Sequence, residues 1–146
     1  EKVYLLEIAA RNGGDWLPQV INYATGIDMI KYTIKAALGE DCSDLTFNQA
    51  KGFWATYAIN SSDSGIFKKI EIQKDLKENN LVEYEVTTKD GEPVFTFTGS
   101  NRGIGTLLLK YSSMEEMLEK MDNMNDWVKV VVEDTLKESS LKSIEI

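Results

Sequence analysis

The hydrophobic pattern of this 146-residue chain changes its period part-way along, and that change is the strongest constraint on the fold. Between residues 16 and 39, apolar side chains recur every three or four residues, which is the spacing of one helix face. After residue 50, aromatic and β-branched residues alternate with polar ones, as in half-exposed strands. The sequence therefore predicts an α+β chain in two parts, with the polar segment 40–48 between them.

The chain opens with a predicted strand over residues 2–9. Successive side chains of a strand point to opposite faces of the sheet. Glu7 and Arg11 would share one face, just before the bend at Gly13-Gly14. The opposite face would be buried and would consist of Tyr4, Leu6 and Ile8.

Two short helices are predicted after the bend. Apolar residues at helical spacing favour a helix over residues 16–24, with Asp15 as its N-cap. Thr25-Gly26 should end this helix. A second apolar stripe over residues 27–38 predicts a helix that ends at Gly39.

The second part is predicted to be mainly antiparallel β structure. Its expected strands cover residues 51–60, 66–72, 81–88, 93–98, 104–111 and 127–133. Pro93 limits the fourth of these to a sheet edge, because proline has no backbone N–H to donate. Lys89-Asp-Gly-Glu92 is a strong turn signal before it. Residues 134–146 are expected to form a loosely held tail.

Two helices are predicted within this second part. The charged segment 73–80 indicates a short helix. Ser113-Met-Glu-Glu116 is a capping-box pattern, which predicts a helix over about residues 113–125. Its methionines could form an adaptable groove for a partner, but packing against the sheet is the commoner arrangement and the one we expect.

Composition and charge exclude several classes of function. The net charge of −8 argues against nucleic acid or an anionic membrane as a partner, because both require a basic surface. The absence of histidine excludes Ser–His and Cys–His catalysis and the usual zinc sites. Any metal should therefore be a hard cation held by oxygen, such as magnesium. A single cysteine, Cys42, favours a reduced, cytoplasmic protein.

The order of motifs in the first forty residues resembles the end of the catalytic domain of ATP-grasp enzymes. The run Leu6-Glu-Ile-Ala-Ala-Arg-Asn-Gly-Gly-Asp15 is followed by Leu17-Pro18, by Ala24-Thr-Gly-Ile-Asp28 and by Ala36-Ala-Leu-Gly39. The sequence of these motifs is most similar to that of the carboxylate–amine (amino-acid) ligases. It is also similar to the biotin-carboxylase-like and carbamoyl-phosphate-synthase-like members.

The second part resembles the small C-terminal subdomain of amino-acid-ligase-type and biotin-carboxylase-like proteins. The matching segments are Gly65-Ile-Phe-Lys-Lys-Ile, the Lys89-Asp-Gly turn and Asn101-Arg-Gly-Ile-Gly. The resemblance assigns residues 1–40 to the end of a catalytic domain, a strand plus two helices. It assigns residues 41–146 to a small antiparallel β-rich subdomain with a packed helix. The chain would then be a fragment of a longer enzyme, inactive by itself.

The resemblance also implies a reaction and its site. ATP would phosphorylate a carboxylate substrate such as an amino acid, and an amine would displace the phosphate; the cofactors are ATP and Mg (or Mn). Glu7 corresponds to the bridging metal ligand, and Arg11 to the catalytic arginine that contacts the γ-phosphate or acyl phosphate. Gly13 and Gly14 would bring the backbone close to the bound group. Ala9 stands where many members carry Asn, so one oxygen donor to the metal is missing.

A different class of function is open at this point. Glu7 and Arg11 could be an ordinary surface ion pair, worth up to ~1 kcal/mol. The two glycines could form a plain strand-to-helix turn. Asp15 would only cap a helix, whereas in an enzyme it could contact a substrate amine. Arg102 would only belong to its loop, whereas it could otherwise reach an acidic partner or a substrate. On that interpretation the chain is a non-catalytic binding or dimerisation module. A homodimer is open on either interpretation.

Overall fold

In the computed structural model of the chain, residues 4–5, 8–9, 11–99 and 102–133 are described. Backbone contacts divide the chain into two compact units, Glu1–Lys51 and Gly52–Ile146. The first contains two helices, and the second contains all six strands of the described residues. The predicted tail over residues 134–146 lies outside the described residues.

The prediction of an opening strand is wrong for the residues of this segment that the structure describes. Tyr4, Leu5, Ile8 and Ala9 do not lie in a strand. Tyr4 and Ile8, which were expected to be buried, are 72% and 83% exposed. A strand requires neighbours for its backbone hydrogen bonds, and no strand of the described residues pairs with this segment. The other predicted members, including Leu6 and Glu7, lie outside the described residues.

Helix α1 spans Leu17–Thr25, close to the prediction, and ends as predicted at Gly26 with a φ of 75°. Its N-cap is Trp16, so the predicted cap at Asp15 is wrong. Asp15 and Trp16 have φ values of 52° and 61°, in a tight turn closed by the Leu17 N–H on the Gly14 carbonyl at 3.1 Å. A capping side chain normally extends from β-region backbone, which this left-handed turn does not provide.

Helix α2 spans Met29–Ala37. Its start is capped by Asp28, whose carboxylate accepts a hydrogen bond from the Lys31 N–H at 2.9 Å. At its end, Gly39 has a φ of 71°. The N–H groups of Gly39 and of the next residue donate to last-turn carbonyls at 3.1 and 2.9 Å. These two bonds form a Schellman motif, which confirms that Gly39 ends the helix.

The polar segment after α2 belongs structurally to the first unit. Asp44 accepts hydrogen bonds from the Tyr32 hydroxyl at 3.1 Å and from the Lys35 ammonium at 3.2 Å. These bonds fasten the segment to α2, and the division of the chain therefore falls after Lys51. The functional assignment of residues 1–40 and 41–146 to two different domains stays a prediction.

The second unit is built from two three-stranded sheets in which neighbouring strands are antiparallel. Its strands are β1 (Phe53–Ile59), β2 (Gly65–Ile72), β3 (Leu81–Val86), β4 (Pro93–Val94), β5 (Gly105–Tyr111) and β6 (Val128–Glu133). One sheet has the order β1–β5–β3, and the other has the order β4–β2–β6. Together with the helices, they confirm the predicted α+β class.

The predicted turn over residues 89–92 is present but connects different sheets. Gly91 has a φ of 88°, and the Glu92 N–H donates to the Lys89 carbonyl at 3.0 Å. The turn does not form a hairpin, because β3 pairs with β5 while β4 pairs with β2. The short strand β4 is at a sheet edge, as the proline predicted.

Three helices complete the second unit: α3 (Lys74–Asn79), α4 (Met114–Asp122) and α5 (Met124–Trp127). The predicted helix over about 113–125 is therefore two helices that meet at Asn123. Met117 and Met121 pack against the buried core, and Met124 belongs to it. The methionine-rich segment is thus packed on the sheets, as expected.

One cluster of buried apolar residues joins both sheets and the helices. Leu107 and Leu109 of the central strand β5 are completely buried. Complete burial of such a side chain contributes roughly 1.5–3 kcal/mol. The other members of the cluster are Ile59, Phe67, Leu76, Val94, Ile104, Tyr111, Met124 and Val128.

A buried asparagine links α3, β5 and α4. Asn80 is 3% exposed, and its Nδ2 donates to the Lys110 carbonyl at 3.0 Å and to Glu116 Oε1 at 2.9 Å. Its Oδ1 accepts from Lys120 Nζ at 2.7 Å. Lys120 also forms ion pairs with Asp75 at 2.8 Å and with Glu116 at 3.1 Å. The buried amide therefore has partners for both its donors and its acceptor.

Glu116 has a second set of contacts at the start of α4. The Ser113 hydroxyl accepts from the Glu116 N–H at 3.2 Å, as the capping-box pattern predicted. The Glu116 carboxylate reaches back to Ser112, accepting from its N–H at 2.8 Å and from its hydroxyl at 2.6 Å. The bonds from Ser112, followed by that from Asn80, lower the pKa of Glu116 to about 2.

We expect Asn80→Ala to destabilise the chain by roughly 2–3 kcal/mol, because it removes one hydrogen bond each from the Lys110 carbonyl, Glu116 and Lys120. Urea unfolding would measure the loss as a lower midpoint. The matched control is Asn79→Ala, an exposed neighbour that donates to Asp75. This control should change the free energy of unfolding by less than ~0.5 kcal/mol. Equal effects of the two substitutions would contradict the structural role of Asn80.

The free energy of unfolding should also fall in acid through Glu116. The pKa of this carboxyl is depressed to about 2 in the folded chain, below its ordinary value of 4.5. Its stabilising effect is therefore complete above about pH 5 and is lost as the pH falls towards 2. Glu116→Gln should flatten the pH dependence in this range, as measured by urea unfolding at several pH values. Glu119→Gln, which removes a carboxyl at an exposed position on the same helix, is the matched control.

Candidate functional site

The first unit contains a cleft of about 600 Å³ beside the predicted site residues. Ala9, Arg11 and Asn12 line one side of it. Its other lining residues come from α2 and from the segment that follows: Met29, Tyr32, Thr33, Ala36, Ala37, Cys42 and Leu45. An apolar lining with a few polar groups is typical of small-molecule sites.

Arg11 places an exposed guanidinium group at this cleft. Its Nη1 donates to the carbonyl of Asn12 at 2.9 Å. Among the residues that the structure describes, no carboxylate forms an ion pair with it. Because the guanidinium is planar, charged and rich in N–H donors, it can bind a phosphate or carboxylate at two points. The arrangement therefore suits an anionic ligand.

The backbone next to Arg11 is fastened to α2 through Asn12. Asn12 Nδ2 donates to Thr33 Oγ1 at 2.7 Å and makes a longer contact of 3.4 Å with the Met29 carbonyl. The Thr33 hydroxyl in turn donates to the Met29 carbonyl at 2.8 Å. The pairing of Asn12 with Thr33 could not be predicted from the sequence, because residues separated by 21 positions have no local spacing signal.

The polar groups around Asp44 satisfy one another. The hydrogen bond from Lys35, and then that from Tyr32, lowers the pKa of Asp44. Loss of hydration and the nearby Asp44 carboxylate raise the pKa of Tyr32. The Lys35 ammonium also lies 5.3 Å from the centre of the Tyr32 ring. Tyr32 therefore lines the cleft as a neutral phenol, and the Asp44 charge is already paired.

Gly13 and Gly14 are exposed and directly follow the Arg11 segment. A side chain at position 13 would meet the Leu17 side chain, whereas one at position 14 would enter open space. The backbone at Gly14 is thus accessible, and packing does not require a glycine there. Trp16, two residues later, has a φ of 61°, which is rare for a bulky residue.

The described residues do not form a magnesium site by themselves. Among them, no group of three or more acidic or cysteine side chains is arranged to hold a metal ion. The described lining of the cleft contains no carboxylate, whereas magnesium prefers carboxylate oxygens. The predicted ligand, Glu7, lies outside the described residues.

Arg102, the other arginine of the chain, is in the second unit. Its guanidinium carbon lies 4.5 Å from the centre of the Phe95 ring. Stacking of this kind stabilises a loop without a ligand. The contact favours the structural interpretation of Arg102.

Two polar clefts in the second unit, of about 420 and 400 Å³, were not expected from the sequence. The smaller one is lined by the Asn80 network, whose charged groups are paired with one another. It is also lined by Tyr111, whose buried hydroxyl has no hydrogen-bond partner among the described residues. Burial, and then the charge of Glu116, raises the pKa of Tyr111 to about 12. The residues that line this cleft therefore form a structural cluster in which the tyrosine is neutral.

Within the described part of the chain, no helix is long and apolar enough to cross a bilayer.

Comparison with models of known protein families gives no match, and comparison with curated protein sequences gives none either. Solved structures do match. L-amino acid ligase from Bacillus licheniformis is similar over 90% of this chain and 33% of its own, with a TM-score of 0.72 and 20% identity. Phosphoribosylglycinamide synthetase from Anaerococcus prevotii is similar over 83% of this chain and 31% of its own, with a TM-score of 0.61 and 21% identity.

A third similar structure is the biotin carboxylase domain of 2-oxoglutarate carboxylase from Hydrogenobacter thermophilus. That structure is a domain dimer in complex with MgADP, ADP and bicarbonate. It matches 79% of this chain and 26% of its own, with a TM-score of 0.53 and 16% identity.

All three similar structures are ATP-grasp enzymes. This chain spans only 26% to 33% of their lengths, and the sequence identities of 16% to 21% establish a common fold alone. The resemblance noted in the sequence motifs is thereby confirmed at the level of fold. The chain has the fold of part of an ATP-grasp enzyme.

Proposed function

We propose that this chain is part of an ATP- and magnesium-dependent ligase. The ligase would activate a carboxylate as an acyl phosphate, release ADP and couple the acyl group to an amine. The observation that carries this proposal is the fold similarity to L-amino acid ligase over 90% of the chain. The remaining ATP-binding groups would come from other parts of a longer protein, so we propose that the chain alone is inactive.

Arg11 is the proposed catalytic residue of this chain. Its guanidinium is exposed at the cleft and bonds to one main-chain carbonyl at 2.9 Å. Phosphoryl transfer depends mainly on alignment and on stabilisation of charge. A guanidinium in this place would hold the γ-phosphate or acyl phosphate in line by two-point hydrogen bonding.

Glu7 is the proposed metal ligand, and Glu7, Arg11, Gly13 and Gly14 are the proposed contacts to the bound nucleotide. Magnesium, when bound, would neutralise charge on the phosphate oxygens. The accessible backbone at Gly14 supports a close approach by an anion. The Ala9 side chain has no oxygen, so water would take the place of a side-chain ligand there.

The proposed partners are ATP, a small carboxylate such as an amino acid, and an amine. A cytoplasmic location and a homodimer are parts of the same proposal. The apolar wall that Met29, Ala36 and Leu45 contribute to the cleft supports a small organic substrate over a macromolecule.

Glu7→Gln and Arg11→Lys in the full-length protein should each lower turnover by on the order of 100-fold, because each removes charge or geometry needed in the transition state. Their melting temperatures should stay within about 2 °C of the unchanged protein, since the effect is on chemistry and not on packing. Turnover is measured as ADP release with a panel of amino acids, and the melting temperature is measured by thermal unfolding.

The matched control is Arg102→Lys, which alters the only other arginine of the chain. It should leave turnover unchanged, since this guanidinium stacks on Phe95 in the second unit. Undiminished turnover in the Glu7 and Arg11 variants would contradict the catalytic roles proposed for these residues and favour a binding or dimerisation module. A full-length protein that releases no ADP would contradict the ligase proposal.

Ala9→Asn in the full-length protein should keep or tighten the magnesium dependence of ADP release. Ala9 lines the cleft beside Arg11, and asparagine at this position would add an amide oxygen for the metal. A magnesium titration of activity measures the effect, with Ala9→Val as a control of similar bulk without a donor. A clearly weaker magnesium dependence in Ala9→Asn would remove position 9 from the proposed metal shell.

A further inference from the structure

The side chain of Asn12 connects the segment that carries Arg11 to α2. Asn12 is half-buried, and its amide donates to Thr33 Oγ1 at 2.7 Å. The Thr33 hydroxyl in turn donates a hydrogen bond to the Met29 carbonyl at 2.8 Å. In such a series each bond polarises the next, so the amide has a stronger acceptor than an isolated hydroxyl.

The main chain of Asn12 holds the Arg11 side chain. The Asn12 carbonyl accepts from Arg11 Nη1 at 2.9 Å. An exposed arginine has many rotamers, and ordering it on a ligand costs entropy. A carbonyl that is fixed by the Asn12–Thr33 bond restricts those rotamers before a ligand binds. The orientation of the guanidinium therefore depends on a hydrogen bond between Asn12 and Thr33 of α2.

We propose that Asn12 and Thr33 are positioning residues for Arg11. This inference rests on the proposed function, because it assumes that Arg11 acts on a phosphate or acyl phosphate. Asn12 and Thr33 act through Arg11 and have no role in the chemistry themselves. Small displacements of a positioned group are enough to reduce turnover strongly, so the effect should appear in kcat.

The test uses Asn12→Ala, Thr33→Val and Thr33→Ser in the full-length protein. Asn12→Ala and Thr33→Val each remove the bond at 2.7 Å and should lower kcat for ADP release by about tenfold. Thr33→Ser keeps the hydroxyl and should retain kcat within about twofold of the unchanged protein. Equal losses in Thr33→Val and Thr33→Ser would overturn the inference.

Repeating Asn12→Ala in an Arg11→Ala background separates positioning from plain structural support. If Asn12 acts through Arg11, the second substitution should lower kcat by less than about twofold, because the group that it positions is absent. A structural role predicts that the tenfold loss is added in full. That additive result would also overturn the inference.

Asn48→Ala is the matched control within the same unit. Asn48 Nδ2 donates to the Thr25 carbonyl at 3.0 Å, so its loss removes a similar bond away from Arg11. This variant should keep kcat unchanged. A loss in Arg11→Ala with none in Asn12→Ala would overturn the positioning role and leave the proposed function intact. Unchanged turnover in Arg11→Ala would overturn the proposed catalytic role of Arg11, whereas a full-length protein that releases no ADP with any amino acid would overturn the proposed function itself.

Discussion

The central strand β5 is the element on which the second unit depends. It pairs with β1 from Phe53↔Tyr111 to Ile59↔Gly105 and with β3 on its other edge. Because both edges are occupied, its backbone groups are satisfied without water, and Leu107 and Leu109 can be buried completely. The Asn80 network then ties α3 and α4 to the end of the same strand through the Lys110 carbonyl.

The first unit is organised by different forces. Pro18 is the only buried residue within its two described helices, so local hydrogen bonds have a larger share in fixing its shape. Asp28 caps α2, Gly39 ends it, and Asp44 fastens the following segment to it. The Asn12–Thr33 bond belongs to this set, and the same bond sets the backbone beside Arg11.

This contrast bears on function. In its proposed role, the Arg11 guanidinium meets an anion and therefore has to stay accessible, and Arg11 is exposed in a unit with little buried surface. Its order must then come from hydrogen bonds to neighbouring main-chain and side-chain groups. In the second unit, the charged side chains of the Asn80 network are paired with one another, which suits a structural role.

Periodicity and glycine placement act locally, and the sequence alone therefore predicts the α+β class, both helices of the first unit, the buried strand β5 and the family resemblance. It also singled out Arg11, through its place in a motif. Tertiary structure decided which strands pair: the turn at Gly91 connects two sheets, since pairing partners are chosen by burial across the whole unit. It also decided that Tyr4 is exposed and that Asn12 meets Thr33, because contacts between distant positions depend on packing.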